Sequence, residues 1–299
     1  HEFEPNQGYV VSKGQMIEEL KLMKQGNVNF VRTSHYPNDP RWYELCDQFG
    51  MMVLDEANVE SHGLSYHKRI LPGDEPEWMF QCVDRMKRMV IRDRQFSSVL
   101  MWSFGIEAGF GDTYLEMRKT TLANDPEKRL IQYADMNLAG DVDSQTYPTI
   151  SWLKQHLNGK ATRKGERGQI SHEHQHGKYP SGKPFIMNEY CHAMGNSLGN
   201  ISDYWEVIYA NDLLSGGFIW DWIDQAMYKK PSDANSGFVY GGDFDDYPND
   251  GNFCVNGIIG ADLIPHPHYN EMRKVYQPVY FKLIKTQPFT IEIVNHNLA

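Results

Sequence analysis

Strand-like and helix-like segments alternate about seven times along this chain, which predicts an α/β fold with a parallel sheet. The 299 residues can form one large domain, and a (β/α)8 TIM barrel needs about 250. The chain opens in a stretch typical of the end of a strand, so we expect a barrel whose first strand is truncated at the N-terminus. A doubly wound open sheet is the alternative, but no GxGxxG turn supports its dinucleotide-binding form.

The individual elements are predicted from hydrophobic spacing and from capping signals, such as Gly50 at the end of a helical pattern. The helices are predicted at 14–25, 40–49, 77–94, 113–123, 150–157, 201–211 and 268–276. The strands are predicted at 28–32, 51–54, 98–104, 130–133, 142–147, 185–187, 216–220 and, as an edge strand, 290–294.

The composition limits the possible partners and compartments. A net charge of -10 argues against a nucleic-acid partner, because no basic patch dominates. No stretch approaches the roughly 18 apolar residues of a membrane span, so no membrane partner is expected. The 4 cysteines are scattered, which predicts neither a disulfide framework nor a zinc site. We therefore expect a reducing, cytoplasmic location.

Polar side chains are concentrated where the predicted strands end. The carboxyl ends of barrel strands surround one mouth, so these side chains are expected to face a common cup. They are Arg32, His35, Asp55, Asn58, Glu60, His62, Glu107, Tyr147, Glu189, His192, Trp220 and Asp221.

Two of these residues, Glu107 and Glu189, each follow an apolar strand. A carboxylate in that position is costly unless it is paired or used. Retaining glycosidases hold two carboxyl groups about 5–5.5 Å apart, one as the nucleophile and one as the acid/base. Arg32 near Glu189 predicts that this carboxylate is ionised, which leaves Glu107 as the proton donor.

Metal binding is also indicated. Glu60, His62 and Glu107 supply two carboxylates and an imidazole, a set that suits magnesium or manganese. The run of residues 172–176 (HEHQH) lies in a Gly- and Lys-rich connection, and we interpret it as a solvated loop.

Five segments carry a resemblance to the large family 2 β-galactosidases, which covers nearly the whole chain. They are HEFEPNQG, VRTSHYPNDPRWYELCDQFGMMVLDEANVESHG, MNEYCHAMGNSLGN, GGFIWDWIDQ and GGDFDDYPNDGNFCVNG. The resemblance implies a catalytic (β/α)8 barrel over residues 1–285. Residues 286–299 are then a linker and the start of a following β-sandwich. It also implies flanking β-sandwich domains and a homo-oligomer in the full-length chain.

The resemblance further implies roles for single residues. Glu189 is expected to be the nucleophile, Glu107 the acid/base, and a small β-galactoside the substrate. The Mg²⁺ ligands are expected to be Glu60, His62 and Glu107, and a partial Na⁺ site is expected at the Phe253 carbonyl and Asn256. The expected substrate-binding residues are His1, Arg32, His35, Tyr147, His192 and Trp220.

Residue 106 departs from the pattern of these enzymes, which usually carry Asn before the acid/base. Ile106 cannot donate a hydrogen bond to the sugar 2-hydroxyl, so we expect a slowed enzyme or an altered substrate preference. Alternatives remain open. They are another family 2 activity (β-glucuronidase or β-mannosidase), a sugar-binding barrel with impaired turnover, and a metal-dependent hydrolase that uses the histidines.

Overall fold

The computed structural model describes residues 2–62, 72–73, 75–134, 136–161 and 181–297. The contact predicted for His1 and the predicted loop at 172–176 lie outside these described residues.

Parallel strands form two sheets. The first sheet has the order β1 (Phe30–Arg32), β2 (Met52–Glu56), β3 (Val99–Ser103) and β4 (Leu130–Gln132). The second has the order β5 (Asp143–Thr146), β6 (Phe185–Tyr190) and β7 (Leu214–Ile219). The α-helices that alternate with them are α1 (Lys13–Gln25), α2 (Pro40–Phe49), α3 (Pro76–Asp93), α4 (Asp112–Asn124), α5 (Ile150–Leu157), α6 (Ile201–Tyr209) and α7 (Pro267–Val275). This alternation confirms the predicted α/β class.

Local chemistry explains why the helices begin and end where they do. The side chain of Asp39 accepts a hydrogen bond from the backbone N–H of Arg41 at the start of α2, and Pro40 occupies the first turn. Gly50 ends the same helix with φ 65°, a left-handed conformation that glycine adopts without steric cost. Thr149 caps α5 in the same way through the N–H of Trp152. The predicted bounds of α2 and α5 are confirmed.

A shared apolar core shows that the two sheets enclose one interior. The rings of Phe30 on β1 and Phe218 on β7 lie 5.3 Å apart. Asp141 joins the sheets on the other side, where its backbone N–H donates to the Ile131 carbonyl and its carboxylate accepts from the Ile131 N–H. The core residues are Leu54, Met101, Val142, Ile186 and Phe218, with Phe30 packed against them. The sheets are therefore arranged as a TIM barrel.

Among the described residues, the strand ladder around this barrel is broken between β1 and β7 and between β4 and β5. A cavity of about 1100 Å³ lies between β1 and β7, and Val31 and Phe218 are among the residues that line it. The strands that flank this cavity belong to different sheets of the described chain.

The chain continues past α7 into an antiparallel hairpin of β10 (Val279–Thr286) and β11 (Phe289–Asn295). Two short strands, β8 (Met227–Tyr228) and β9 (Phe238–Val239), form a second antiparallel pair. The predicted edge strand at 290–294 lies in β11, whereas β10 was missed. The hairpin crosses residue 285, and the assignment of residues 286–299 to a following domain stays a prediction. None of the described helices is both long and apolar enough to cross a membrane.

Candidate active site

The strand periodicity places a polar layer directly above the apolar core. Side chains two residues apart on a strand face the same side of the sheet. The residues two positions after Phe30, Leu54 and Met101 therefore also point inward. They are Arg32, Glu56 and Ser103, and all three are buried.

Arg32 links the two sheets through this layer. Its Nε and Nη2 atoms donate to both carboxylate oxygens of Glu56, at 2.6 and 2.9 Å. Its Nη1 donates to Oε1 of Glu189 at 2.9 Å and to the carbonyl of Asn188 at 3.0 Å. Such two-pronged contacts fix the guanidinium plane. The predicted proximity of Arg32 and Glu189 is therefore present.

The two carboxylates beside Arg32 differ in basicity. Burial raises the pKa of Glu189 to about 7, with a further rise from the charge of Glu107, against the opposing charges of Arg32 and His35. Burial also pushes up the pKa of Glu56, but Arg32 and His35 outweigh it and lower that pKa to about 2. Arg32 thus lowers the pKa of Glu189 but is outweighed by burial, and the expectation that Arg32 keeps Glu189 ionised stays a prediction.

Glu107 is held in a tight turn after β3. Gly105 has φ 120°, and a Cβ atom there would lie 2.0 Å from the carbonyl oxygen of Val59. The backbone N–H of Ile106 donates to that carbonyl at 3.2 Å. Glu107 itself is almost fully buried with φ 54°, and its Oε2 lies 2.7 Å from Nδ1 of His62. The turn aims the carboxylate of Glu107 at His62 and Glu60.

A metal-binding geometry is present at this point. Possible ligand atoms of Glu60, His62 and Glu107 all lie within 4.8 Å of one another. Two carboxylate oxygens and one imidazole nitrogen fit a divalent cation that takes oxygen and nitrogen ligands. The donor set is therefore chemically suited to the cation predicted from the sequence.

The aromatic residues predicted to contact sugar line the same mouth. The rings of His35 and Trp220 are stacked 4.9 Å apart. His192 lies 5.8 Å from Tyr147 and 5.8 Å from Phe253, measured between ring centroids. Burial and the charge of Glu189 raise the pKa of Tyr147, while burial lowers the pKa of His192. Both side chains are thus neutral hydrogen-bonding groups near pH 7.

Phe253 and Asn256 also lie together. Nδ2 of Asn256 donates to the carbonyl oxygen of Phe253 at 3.0 Å. Oδ1 of Asn256 is buried and has no hydrogen-bond partner among the described residues. A buried amide oxygen of this kind is a suitable ligand for a hard cation such as Na⁺.

Sequence reasoning missed Glu56 and the hydrogen bonds that hold it. Ser103 Oγ lies 2.7 Å from Glu56 and 3.0 Å from Gln132, and Gln132 in turn donates to Ser144 at 3.0 Å. The neighbouring Asp55, which the sequence analysis included in the cup, points away from it. The alternation of side chains along β2 could have identified Glu56. Leu54 faces the interior, so the residue two positions later faces it as well.

Comparison with known proteins identifies the family of the chain. Residues 1–281 match the family described as glycosyl hydrolases family 2, TIM barrel domain. The chain is 39% identical over 299 residues to a β-galactosidase of Klebsiella pneumoniae, covering 100% of this chain and 28% of the relative. It is 40% identical over 284 residues to a β-galactosidase of Vibrio cholerae, covering 95% and 27%. The chain thus spans little more than a quarter of these relatives.

Solved structures give the same fold. A β-glucuronidase of Ruminococcus gnavus matches with a TM-score of 0.65 and 17% identity, over 92% of this chain and 48% of that one. A β-glucuronidase of Faecalibacterium prausnitzii matches with a TM-score of 0.64 and 20% identity, over 92% and 47%. At such identities the likeness concerns the fold. Together with the family match, it establishes that the chain belongs to glycosyl hydrolase family 2 and carries the TIM barrel domain of that family.

Proposed function

We propose that this chain carries the catalytic centre of a retaining β-galactosidase, which releases terminal β-D-galactose from small β-galactosides. The observation that carries the proposal is the pair of buried carboxylates, with Glu189 held by Arg32 and Glu107 held by His62. The substrate class rests on the named β-galactosidase relatives at 39–40% identity.

In the first step, a carboxylate oxygen of Glu189 attacks the anomeric carbon of the galactoside. Glu107 donates its proton to the glycosidic oxygen, the C–O bond breaks, and the aglycone leaves as an alcohol. The product is a galactosyl ester of Glu189. Tyr147, whose pKa the neighbouring charge of Glu189 helps to raise, assists by stabilising the changing charge on that carboxylate.

In the second step, the ionised Glu107 takes a proton from water, and the resulting hydroxide attacks the anomeric carbon. The ester bond breaks, and Glu189 returns as a carboxylate. Two inversions restore the original β-configuration of the released galactose. Trp220, already stacked with His35, offers an aromatic face for the apolar side of the sugar ring, and His35 and His192 bind its hydroxyl groups.

A divalent cation, Mg²⁺ by preference, would be held by Glu60, His62 and Glu107. When bound, it would supply positive charge beside Glu107 and would hold the carboxyl group of that acid/base in one orientation. Asn256 and the Phe253 carbonyl would hold Na⁺ beside His192, which fits the unpartnered amide oxygen of Asn256 among the described residues.

Labelling with 2,4-dinitrophenyl 2-deoxy-2-fluoro-β-galactoside tests the proposal. The fluorine slows both steps and the good leaving group speeds the first, so the galactosyl ester accumulates. We expect mass spectrometry to find the label on the peptide that contains Glu189, and no label in the Glu189→Gln variant. The matching fluoro-glucuronide and fluoro-mannoside are controls for the other family 2 activities.

The remaining outcomes separate the alternatives. A label only from the glucuronide or the mannoside would replace galactose as the substrate. Galactose binding without any label would favour a sugar-binding barrel with impaired turnover. Complete loss of hydrolysis on chelation, with activity retained in Glu189→Gln, would favour a metal-dependent hydrolase.

A further inference from the structure

Glu56 contacts the guanidinium that holds the proposed nucleophile. We propose that Glu56 is a positioning residue for the glycosidase reaction, which fixes Arg32 in place and takes up part of the positive charge that Arg32 presents to Glu189. This inference rests on the proposed function and deepens it, because it assigns a role to a residue that sequence reasoning missed.

The contacts leave Arg32 one orientation. Both oxygens of Glu56 accept from it, at 2.6 and 2.9 Å, so the guanidinium cannot rotate without breaking one bond of the fork. Glu56 is fixed in turn, because Ser103 Oγ lies 2.7 Å from its Oε2 and its backbone N–H donates to Thr33 Oγ1 at 2.8 Å. Glu56 has an exposed fraction of 0%. Its position is therefore set by the barrel interior.

Several charged or protonatable groups surround Glu189. Arg32 from β1 and His35 after β1 face it as positive or protonatable groups, and Glu107 after β3 and Tyr147 after β5 face it as acids. One guanidinium is thus shared by two buried carboxylates, Glu56 and Glu189. In a buried environment of low dielectric, a carboxylate already paired with Arg32 reduces the attraction left for the second.

This sharing has a chemical consequence. A fully compensated Glu189 would be a weakly basic carboxylate, ionised at low pH and a poor nucleophile. Glu56 stays ionised throughout the working pH range, so Glu189 keeps a higher pKa and is a more basic nucleophile. The acid limb of the pH profile of kcat/KM consequently lies at higher pH. Glu56 therefore acts on the reaction through Arg32, without needing to touch the sugar.

Two variants separate charge from position. Glu56→Gln keeps the shape and removes the charge, whereas Glu56→Asp keeps the charge and shortens the fork. Asp125→Asn is the matched control, because Asp125 is another buried carboxylate paired with an arginine, Arg129, at 2.6 Å. The assay is kcat and KM for nitrophenyl β-galactoside across pH 5–9, with thermal unfolding to verify folding.

In Glu56→Gln, we expect the acid limb of kcat/KM to move to lower pH by about one unit, because Glu189 gains the full charge of Arg32. In Glu56→Asp, we expect kcat to fall about tenfold or more, with a smaller change in KM, since misplaced groups cost rate. Asp125→Asn should lower the unfolding temperature and leave the acid limb of the kcat/KM profile unchanged.

An unshifted limb in folded Glu56→Gln, or a wild-type kcat in folded Glu56→Asp, overturns the inference. Failure of both variants to fold also overturns it, because Glu56 would then be a residue required for folding. A wild-type protein that neither hydrolyses the galactoside nor takes the fluoro-sugar label overturns the proposed function itself, so the two failures are distinguishable.

Discussion

The buried carboxyl group of Glu19 should make the stability of this protein depend on pH. It lies on α1 with an exposed fraction of 6%, and its Oε1 accepts one hydrogen bond from Gln15 at 3.0 Å. Burial raises its pKa from 4.5 to about 7. The difference between 7 and 4.5, at about 1.4 kcal/mol for each pKa unit, corresponds to about 3 kcal/mol of folding free energy.

The free energy of unfolding changes with pH because the folded and unfolded chains bind different numbers of protons at Glu19. Below about pH 4.5, Glu19 is neutral in both the folded and the unfolded chain, so its burial carries no ionisation penalty. Between pH 4.5 and 7 the unfolded chain releases the proton while the folded chain keeps it, and the free energy of unfolding falls. Above pH 7 the loss is complete.

Glu19→Gln removes this penalty without changing the shape of the side chain. We expect the free energy of unfolding in urea, followed by tryptophan fluorescence, to exceed that of the wild type by about 3 kcal/mol at pH 8 and to equal it near pH 4.5. The adjacent Glu18, half exposed and paired with Lys21, provides the control, and Glu18→Gln should change stability by less than about 1 kcal/mol at either pH. A gain in Glu19→Gln that is equal at both pH values would refute the reasoning.

Three further predictions concern activity. Ile106→Asn should raise kcat/KM about 10- to 100-fold by restoring a hydrogen bond to the 2-hydroxyl that strengthens in the transition state, and an unchanged or lower rate would count against it. Below about pH 7, kcat/KM should fall about tenfold per pH unit as Glu189 takes up a proton, so a profile flat from pH 5 to 8 would contradict its role. Chelation should slow the wild type and leave Glu60→Gln almost unaffected, and equal losses in both would remove Glu60 from the ligand set.

The sequence was sufficient for the alternation of elements, because strand and helix spacings differ and capping residues mark the helix ends. Pro40 and Gly50 bracket α2 where the structure has it. It was less informative about strand ends. The strand predicted at 51–54 continues to Glu56, because the ladder with β3 pairs Glu56 with Ser103. A charged residue interrupts an apolar pattern, so hydrophobicity alone ends the strand too early.

In the candidate site, the sequence predicted which residues lie together but not how their side chains are oriented. The ring stack of His35 and Trp220 and the proximity of Arg32 to Glu189 depend on contacts between residues more than 150 positions apart in sequence. The pattern at strand ends predicted their common location, but it gave no orientation. It therefore could not separate Glu56, which points into the site, from Asp55, whose Oδ1 accepts from Tyr43 on α2. Burial and charge at Glu189 likewise depend on the folded surroundings.

The two carboxylates come from different halves of the barrel. Glu107, with Glu60 and His62, belongs to the loops that follow the four-stranded sheet, whereas Glu189 ends a strand of the three-stranded sheet. The proposed catalytic centre is therefore an interface between two halves of one chain, where the guanidinium of Arg32 contacts a carboxylate from each half. Under the proposed function, the sugar binds in the gap between these halves, so their separation would set the distance between Glu107 and Glu189. The rate of the proposed hydrolysis would therefore depend on how closely the two halves pack.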